Sequence, residues 1–245
     1  MENKTKEIQS ERADIETSSE NYTTRFTGKV GEYFLEVQKN ITFDLLKNEN
    51  VKTILDVGGG HAQLAVPLVN AGFEVTVTGS DLSCRKRLDK YLTPNQFKFS
   101  ECNFLNLPFD DKSFDAVISF RLLTHEKNWK ILVEEMCRVS KNVIIIDYPD
   151  KLSFNLLYDL FFNMKKKYEK NTRIFYSFSR DELINEFRSY GYSIFKFKPQ
   201  FFIPMVLHRF IKQIFITKVT EKIFQIIGLK YLFGSPVILK VKRNK

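Results

Sequence analysis

The sequence has few of the residues that build disulfide frameworks and metal sites. It contains 3 cysteines and 3 histidines among 245 residues. The cysteines are odd in number and lack the spacing of a zinc motif, and the histidines are far apart along the chain: Cys84, Cys102, Cys137, His61, His125 and His208. These absences argue against a disulfide-stabilised secreted protein and against a metal site. They predict a reducing, cytoplasmic environment.

Long apolar runs are also missing. The first residues contain no apolar core of a signal peptide, and no uncharged stretch approaches the roughly 18 residues that a membrane span needs. Residues 1–20 are polar and charged, which predicts a disordered tail. We therefore expect one α/β domain over residues 21–245, a length that can bury a full core.

Charge is distributed unevenly between the two parts of the chain. Residues 1–150 hold 19 basic and 23 acidic side chains, whereas residues 151–245 hold 19 basic and 6 acidic ones. A basic, aromatic C-terminal part suits an anionic partner such as nucleic acid, a lipid headgroup or a phosphorylated substrate. A solvated lysine-rich surface over an ordinary core is the alternative.

The chain is organised around a glycine-rich stretch that follows a short apolar run. Residues 54–57 predict a buried strand, Gly58, Gly59 and Gly60 follow, and residues 62–71 form a helix-like run that ends at Gly72. Strand, glycine turn and helix form the first half of a βαβ unit. In such a turn the backbone can approach a ligand, and the helix N-terminus offers unpaired N–H groups.

Two kinds of cofactor site, and a turn without any ligand, are compatible with that stretch. Gln63 stands where the dinucleotide pattern requires a third glycine. Residues 73–79 predict a second strand, and Asp81 follows about 20 residues after the glycines, where an acidic side chain accepts hydrogen bonds from ribose hydroxyls. Asp81 could instead cap a helix over residues 84–91, and both roles are compatible if Ser83 is the cap.

The other predicted elements alternate along the chain. N-terminal helices precede the first strand, with Gly28 and Gly31 as a candidate break between them. Strands are predicted over residues 97–102, 114–120, 142–147, 193–202 and 235–242, and helices over residues 129–139, 154–168 and 180–190. Ser179 and Glu182 form a capping-box pattern for the last of these helices.

Residues 204–229 carry apolar side chains at helical spacing with basic residues elsewhere. This pattern predicts a basic amphipathic helix or helix pair between the last two strands. We expect it to pack on the sheet edge. A substrate lid, or a face that contacts a membrane surface peripherally and admits an apolar substrate, is the alternative.

Three segments together resemble class I S-adenosylmethionine-dependent methyltransferases, in particular the small-molecule "methyltransferase domain 11" type. These segments are Asp56 to His61, Asn103 to Phe120 with its Leu-Pro-Phe sequence, and Glu134 to Val139. The resemblance covers residues 50–150. It implies an α/β fold with a Rossmann-like, doubly wound, seven-stranded sheet that is mainly parallel, with an antiparallel last strand and helices on both faces. The expected regions are N-terminal lid helices (21–50), a cofactor-binding core (51–150) and a variable C-terminal part (151–245) with a helical insertion (204–232).

The same resemblance implies the chemistry and the site. The cofactor is expected to be S-adenosyl-L-methionine, and the acceptor a small molecule or a lipid-like compound. His125, at the carboxyl end of the fourth strand, is the candidate catalytic residue. The expected cofactor-binding residues are Asp56, Gly58, Gly59, Gly60, Asp81, Leu82, Asn103, Phe104, Arg121, Tyr22 and Arg25.

Two other functions stay open at this point. The basic C-terminal region suits a nucleic-acid methyltransferase, but the chain has no catalytic motif or binding module of that class. The other is a non-catalytic protein with the same fold, which the intact glycines and Asp81 argue against.

Overall fold

The computed structural model describes residues 9–153 and 175–243. They form a seven-stranded sheet with the order β3-β2-β1-β4-β5-β7-β6. The strands are β1 (Thr53–Val57), β2 (Glu74–Gly79), β3 (Lys98–Glu101), β4 (Phe114–Ser119), β5 (Ser140–Tyr148), β6 (Tyr192–Pro199) and β7 (Val237–Arg243). All neighbouring pairs from β3 to β5 are parallel, and β7 runs antiparallel to both β5 and β6. The predicted fold class is confirmed.

Helices lie between the strands and before the first of them. Among the described residues they are α1 (Asp14–Thr17), α2 (Glu20–Thr23), α3 (Gly28–Leu46), α4 (Ala65–Asn70), α5 (Trp129–Val139), α6 (Arg180–Ser189), α7 (Met205–Ile211), α8 (Ile214–Ile226) and α9 (Leu229–Phe233). Helix α6 begins with the capping box predicted from Ser179 and Glu182, in which both reciprocal hydrogen bonds are made. The predicted helix over residues 154–168 lies outside the described residues.

The sheet is buried on both faces, as the apolar strands predict. On one face Leu55 and Val57 of β1 pack with the buried side chains of α5 and α6. On the other face Ile54 packs with the end of α3 and with α4. Alternate residues of β1 therefore face opposite helical layers. The glycine turn follows β1 at the carboxyl edge of the sheet, between these two layers.

Two predicted elements differ from the structure near the glycine turn. The helix expected from Ala62 begins only at Ala65, because Ala62 has a left-handed φ of +63° that an α-helix cannot include. The helix expected over residues 84–91 consists of two short 3₁₀ turns, Leu82–Arg85 and Leu88–Lys90, and the first is capped by Asp81, whose Oδ1 accepts from Ser83 N. Gly72, at φ +90°, ends α4 as predicted.

The N-terminal region also differs from the sequence prediction. Residues 9–20, expected to be disordered with residues 1–8, are ordered against the carboxyl edge of the sheet, and Asp14 is buried there. We call residues 9–20 the N-terminal strap. Gly31 lies inside α3 and does not interrupt it, and a Cβ at this position would lie 2.2 Å from the backbone carbonyl carbon of Phe26. The order of the strap comes from contacts with distant residues, which composition does not reveal.

Candidate functional site

The glycine turn is built by close contacts that only glycine permits. Gly58 has a left-handed φ of +73° and follows β1 directly. A Cβ on Gly59 would lie 2.2 Å from the Asp56 carboxyl carbon, and one on Gly60 would lie 2.5 Å from Ser18 Oγ of the strap. The backbone of the turn therefore lies between the carboxyl group of Asp56 on one side and the strap on the other, with no space for side chains.

Asp56 is a buried carboxyl beneath that turn. Its side chain is fully buried, and neither oxygen has a hydrogen-bond partner among the described residues. Burial raises the pKa of Asp56 to about 7, because the charged form is poorly solvated there. Close by, burial and the charge of Arg121 lower the pKa of His61 to about 3, so its imidazole is neutral, and its Nδ1 accepts from Gln63 N at 3.2 Å.

Asp81 and Asn103 follow β2 and β3 at the same edge of the sheet, as predicted. The strap already contacts both. Arg12 Nη2 donates to Asp81 Oδ2 at 3.0 Å, and Ser10 N donates to Asn103 Oδ1 at 3.1 Å. The pKa of Asp81 lies below its usual range because Ser83 and then Arg12 stabilise the carboxylate. Any nucleoside bound by these two side chains would share or displace the contacts of the strap.

The carboxylate of Asp14, within the strap itself, attaches the strap to the rest of the protein. Asp14 accepts from Ser80 N at 2.7 Å and from Ser80 Oγ at 2.5 Å, and the thiol of Cys84 donates to it at 3.0 Å. These bonds join α1 to the end of β2. The sequence analysis missed Arg12 and Asp14 because it treated their polar surroundings as a tail.

Two expected cofactor contacts are placed very differently from each other. Phe104 is fully buried in the core on the α5 face of the sheet, so it has no free ring face for adenine. The ring packs in the core because apolar neighbours surround it. Leu82, in contrast, is 64% exposed beside Asp81.

Arg121 leaves the carboxyl end of β4 and links the glycine turn to a cavity. Its backbone has a left-handed φ of +61°, and its N–H donates to Asp147 Oδ1 at 2.6 Å. Its guanidinium donates to Gln38 Oε1 at 2.8 Å and to Gln63 Oε1. None of these three partners of Arg121 was predicted. Asp147 could have been identified from the sequence, because it lies at the carboxyl end of a parallel strand, where ligand-binding residues occur in such sheets.

Aromatic rings of the N-terminal region cover the same guanidinium. Its central carbon lies 4.2 Å from the ring centroid of Phe26 and 5.9 Å from that of Tyr22. Arg25 stacks on Tyr22 at 4.5 Å and approaches Glu16 at 3.9 Å. The structure thus brings Tyr22, Arg25 and Arg121 together.

These residues line a cavity of about 430 Å³. His125 lies in its wall and meets the ring of Phe175 edge-on, with centroids 5.9 Å apart. Asp147 lies in the wall as well, and burial raises its pKa to about 6 although the charge of Arg121 opposes this rise. Met205, Val206 and Arg209 bring α7 to the same cavity. Its walls therefore combine an apolar lining with an imidazole and a buried carboxyl group.

The described residues contain no cluster of histidine, cysteine, aspartate and glutamate side chains that could hold a metal ion.

Comparisons with known proteins agree with this architecture. Residues 55–143 match the family model of the methyltransferase domain. A demethylmenaquinone methyltransferase of Porphyromonas gingivalis is 33% identical over 112 residues, which cover 42% of this chain and 46% of that protein. The match thus spans about half the length of this curated relative.

Solved structures resemble nearly the whole chain at low sequence identity. A magnesium protoporphyrin IX methyltransferase of Synechocystis PCC 6803 with bound SAH has a TM-score of 0.62 at 13% identity, covering 95% of this chain and 96% of that one. A possible histamine N-methyltransferase of Thermotoga maritima has a TM-score of 0.60 at 18% identity, covering 94% and 98%. At such identities the likeness concerns the fold.

Proposed function

Because the chain carries the domain of the class I S-adenosylmethionine-dependent methyltransferases, we propose that it methylates a small-molecule or lipid-like acceptor held in the cavity beside Arg121. The observation that carries this proposal is the position of Arg121. Its side chain contacts Gln63 of the glycine turn and also lines the cavity. A cofactor at the turn and an acceptor in the cavity would therefore be neighbours.

The residues at the turn suit the methionine end of S-adenosylmethionine. Gly58 to Gly60 form a buried turn at the carboxyl end of β1 that the strap covers, and Asp56 supplies a buried carboxyl beneath it that has no hydrogen-bond partner among the described residues. A cationic ligand near Asp56 would favour its ionised form. At the other end, Asp81 would hold the ribose and Asn103 the adenine once the strap yields those contacts.

Methyl transfer from S-adenosylmethionine requires little general acid or base catalysis. S-adenosylmethionine, when bound, supplies a methyl group on a positively charged sulfur, which a nucleophile can displace directly. The protein has to align the acceptor and exclude water, which the aromatic cover of Tyr22 and Phe26 supports. His125 and Asp147 lie in the wall of the cavity, where either can take a proton from the acceptor.

The apolar part of the cavity wall favours an apolar acceptor over a highly charged one. A peripheral contact with a membrane surface would bring such a compound to the cavity. A cytoplasmic location of the protein stays a prediction.

Calorimetry of S-adenosylmethionine binding, with NAD as the control ligand, tests the cofactor site. We expect binding of S-adenosylmethionine alone, and a loss of about tenfold or more in affinity for Asp81→Ala, since ribose hydrogen bonds to a carboxylate are lost. Asp89→Ala is the matched control, because Asp89 is an exposed aspartate that pairs with Arg85 on the neighbouring turn. Equal affinities of the two variants would show that Asp81 does not hold the ribose.

Formation of S-adenosylhomocysteine with a panel of phenols and lipids then tests the transfer itself. Retained cofactor binding without product for any acceptor would favour the non-catalytic alternative.

A further inference from the structure

Helix α8 faces solvent with its apolar side. The residues it buries are Thr217 and Glu221, both polar. Its exposed side carries Phe215, which is 75% exposed, and Ile226, which is 72% exposed. An amphipathic helix on a water-exposed protein surface has the opposite orientation, with its apolar stripe toward the core.

Hydrogen bonds from Glu221 fix this inverted orientation. Glu221 accepts from Phe202 N at 2.9 Å and from Ile203 N at 3.0 Å. Its Oε1 also lies 2.9 Å from Nε2 of the fully buried His208 on α7. These hydrogen bonds hold the polar side of α8 inside the protein. The apolar side is therefore exposed because of specific contacts on the opposite side of the helix.

The helices on either side extend the exposed apolar surface. On α7 the most exposed side chain is Phe210, at 82%. We call the exposed apolar side chains of the three helices the terminal apolar face: Val206, Leu207, Phe210, Ile211, Phe215, Ile216, Val219, Ile223, Ile226, Tyr231, Leu232 and Phe233. A single exposed apolar residue is normal on a protein surface. A large number of them on neighbouring helices indicates an interaction surface.

The exposed charged residues of this part of the chain are all basic. Residues 200–236 contain five basic side chains, Arg209, Lys212, Lys218, Lys222 and Lys230, and a single acidic one, Glu221, which is buried. Arg209 lines the cavity and Lys230 lies over the buried ring of Phe201, so the three exposed lysines are the ones that attract an anionic surface. They would also repel a second copy of the same face, since a two-fold interface would bring the same cations together.

We propose that the terminal apolar face docks on the surface of an anionic lipid bilayer. Apolar side chains with lysines beside them are the composition of helices that lie in a bilayer interface. None of the helices in the described ranges, 9–153 and 175–243, is long and apolar enough to span a membrane. Docking would bring one wall of the cavity close to the lipid, because Val206 belongs to the face and also lines the cavity.

Vesicle flotation of the full-length protein tests this docking. We expect binding to vesicles of phosphatidylglycerol and phosphatidylcholine, weaker binding to phosphatidylcholine alone, and release by salt. Phe210→Ser/Phe215→Ser should weaken binding by more than about tenfold, because two exposed rings lose their burial in lipid. Lys218→Gln/Lys222→Gln should weaken binding to the anionic vesicles by about 25-fold, but hardly change binding to the neutral ones.

Matched controls lie on another part of the chain. Tyr91, which is 58% exposed, gives the control Tyr91→Ser, and the exposed Lys86 gives Lys86→Gln. Both should bind vesicles like the wild type. Absence of wild-type binding, or equal binding by the face variants and the controls, would overturn the proposal.

A further measurement separates this proposal from the proposed function and from other occupants. Calorimetry of S-adenosylmethionine binding should give the same affinity for the face variants and the wild type. Vesicle binding without any cofactor binding would support docking while contradicting the methyltransferase function. If the protein instead ignores vesicles and sediments as a dimer that Phe210→Ser/Phe215→Ser dissociates, a second copy covers the face and the lipid proposal fails.

Discussion

Two helices of similar length, α5 in the parallel core and α8 near the C-terminus, use amphipathic sequences in opposite ways. Helix α5 buries Leu132, Val133, Met136, Cys137 and Val139 against the sheet. Helix α8 buries Thr217 and Glu221 and turns its apolar side chains outward. The difference shows that the spacing of apolar residues predicts a helix and its stripe, whereas the direction of the stripe depends on which side finds partners.

The two regions differ in their buried carboxyls as well. Asp56, beneath the glycine turn, has no hydrogen-bond partner among the described residues, while Glu221 accepts from two backbone N–H groups and contacts His208. The first is therefore expected to cost stability when ionised, and the second to contribute stability through its bonds. The expected effects below are ordered from the largest to the smallest.

The largest effect should come from the pH dependence of Asp56. Burial raises its pKa from 3.8 to about 7 in the folded protein. Between about pH 4 and pH 7 the unfolded chain releases this proton and the folded protein keeps it, so the contribution of Asp56 to the free energy of unfolding falls as pH rises. This fall is at most about 4 kcal/mol and is complete above about pH 7. Because His61, with its lowered pKa, contributes in the opposite direction, urea unfolding of the wild type and of Asp56→Asn at several pH values measures the Asp56 contribution as their difference.

Asp56→Asn should remove the Asp56 contribution to that slope, because the amide stays neutral throughout. The exposed Asp89→Asn is the control and should keep it. An unchanged slope in Asp56→Asn would mean that Asp56 is ionised in the folded protein.

The next effect concerns the buried stripe of α5. Leu132 is fully buried, so Leu132→Ala should lower the free energy of unfolding by about 3 kcal/mol through lost burial and a residual cavity. Denaturant unfolding measures the change. A loss below about 1 kcal/mol would mean that α5 is no better packed than the outward side of α8.

Glu221→Ala should have a smaller but clear effect, about 2 kcal/mol, since the N–H groups of Phe202 and Ile203 lose their acceptor. Glu134→Ala is the matched control, because Glu134 is an exposed glutamate of α5. The control should stay within about 0.5 kcal/mol of the wild type. Equal stabilities of the two variants would contradict the anchoring of α8.

The smallest effect sharpens the comparison. Ile223 is 50% exposed on the outward side of α8. Ile223→Ser should change the free energy of unfolding by less than about 0.5 kcal/mol, although it removes an isoleucine from an amphipathic stripe. A loss like that of Leu132→Ala would show that the outward side is covered within the protein itself.

Much of the fold could be predicted because its strands carry their own signals. The apolar, β-branched runs ending in Val57, Gly79 and Ser119 identified β1, β2 and β4, and the capping box identified α6. The glycine turn marked the carboxyl edge of the sheet. The seven-stranded arrangement came from the family resemblance, since single strands do not reveal their neighbours.

The unpredicted parts depend on contacts between distant residues. Asp14 orders the strap through Ser80 and Cys84, residues far away in sequence, and Arg121 is held by Gln38, Gln63 and Asp147. Phe104 was expected to contact the cofactor because of the family resemblance, yet its ring packs in the core on the α5 face of the sheet. Local pattern could not supply any of these relations.

The strap has a consequence for the speed of cofactor exchange. Both oxygens of Asp81 are engaged by donors of the chain itself, Ser83 N and Arg12 Nη2. A nucleoside that displaces Arg12 from Asp81 would bind only while Arg12 is lifted away, so cofactor association would be limited by a local opening of residues 10–14. Added salt weakens this exposed ion pair. It should therefore accelerate cofactor association in a stopped-flow experiment.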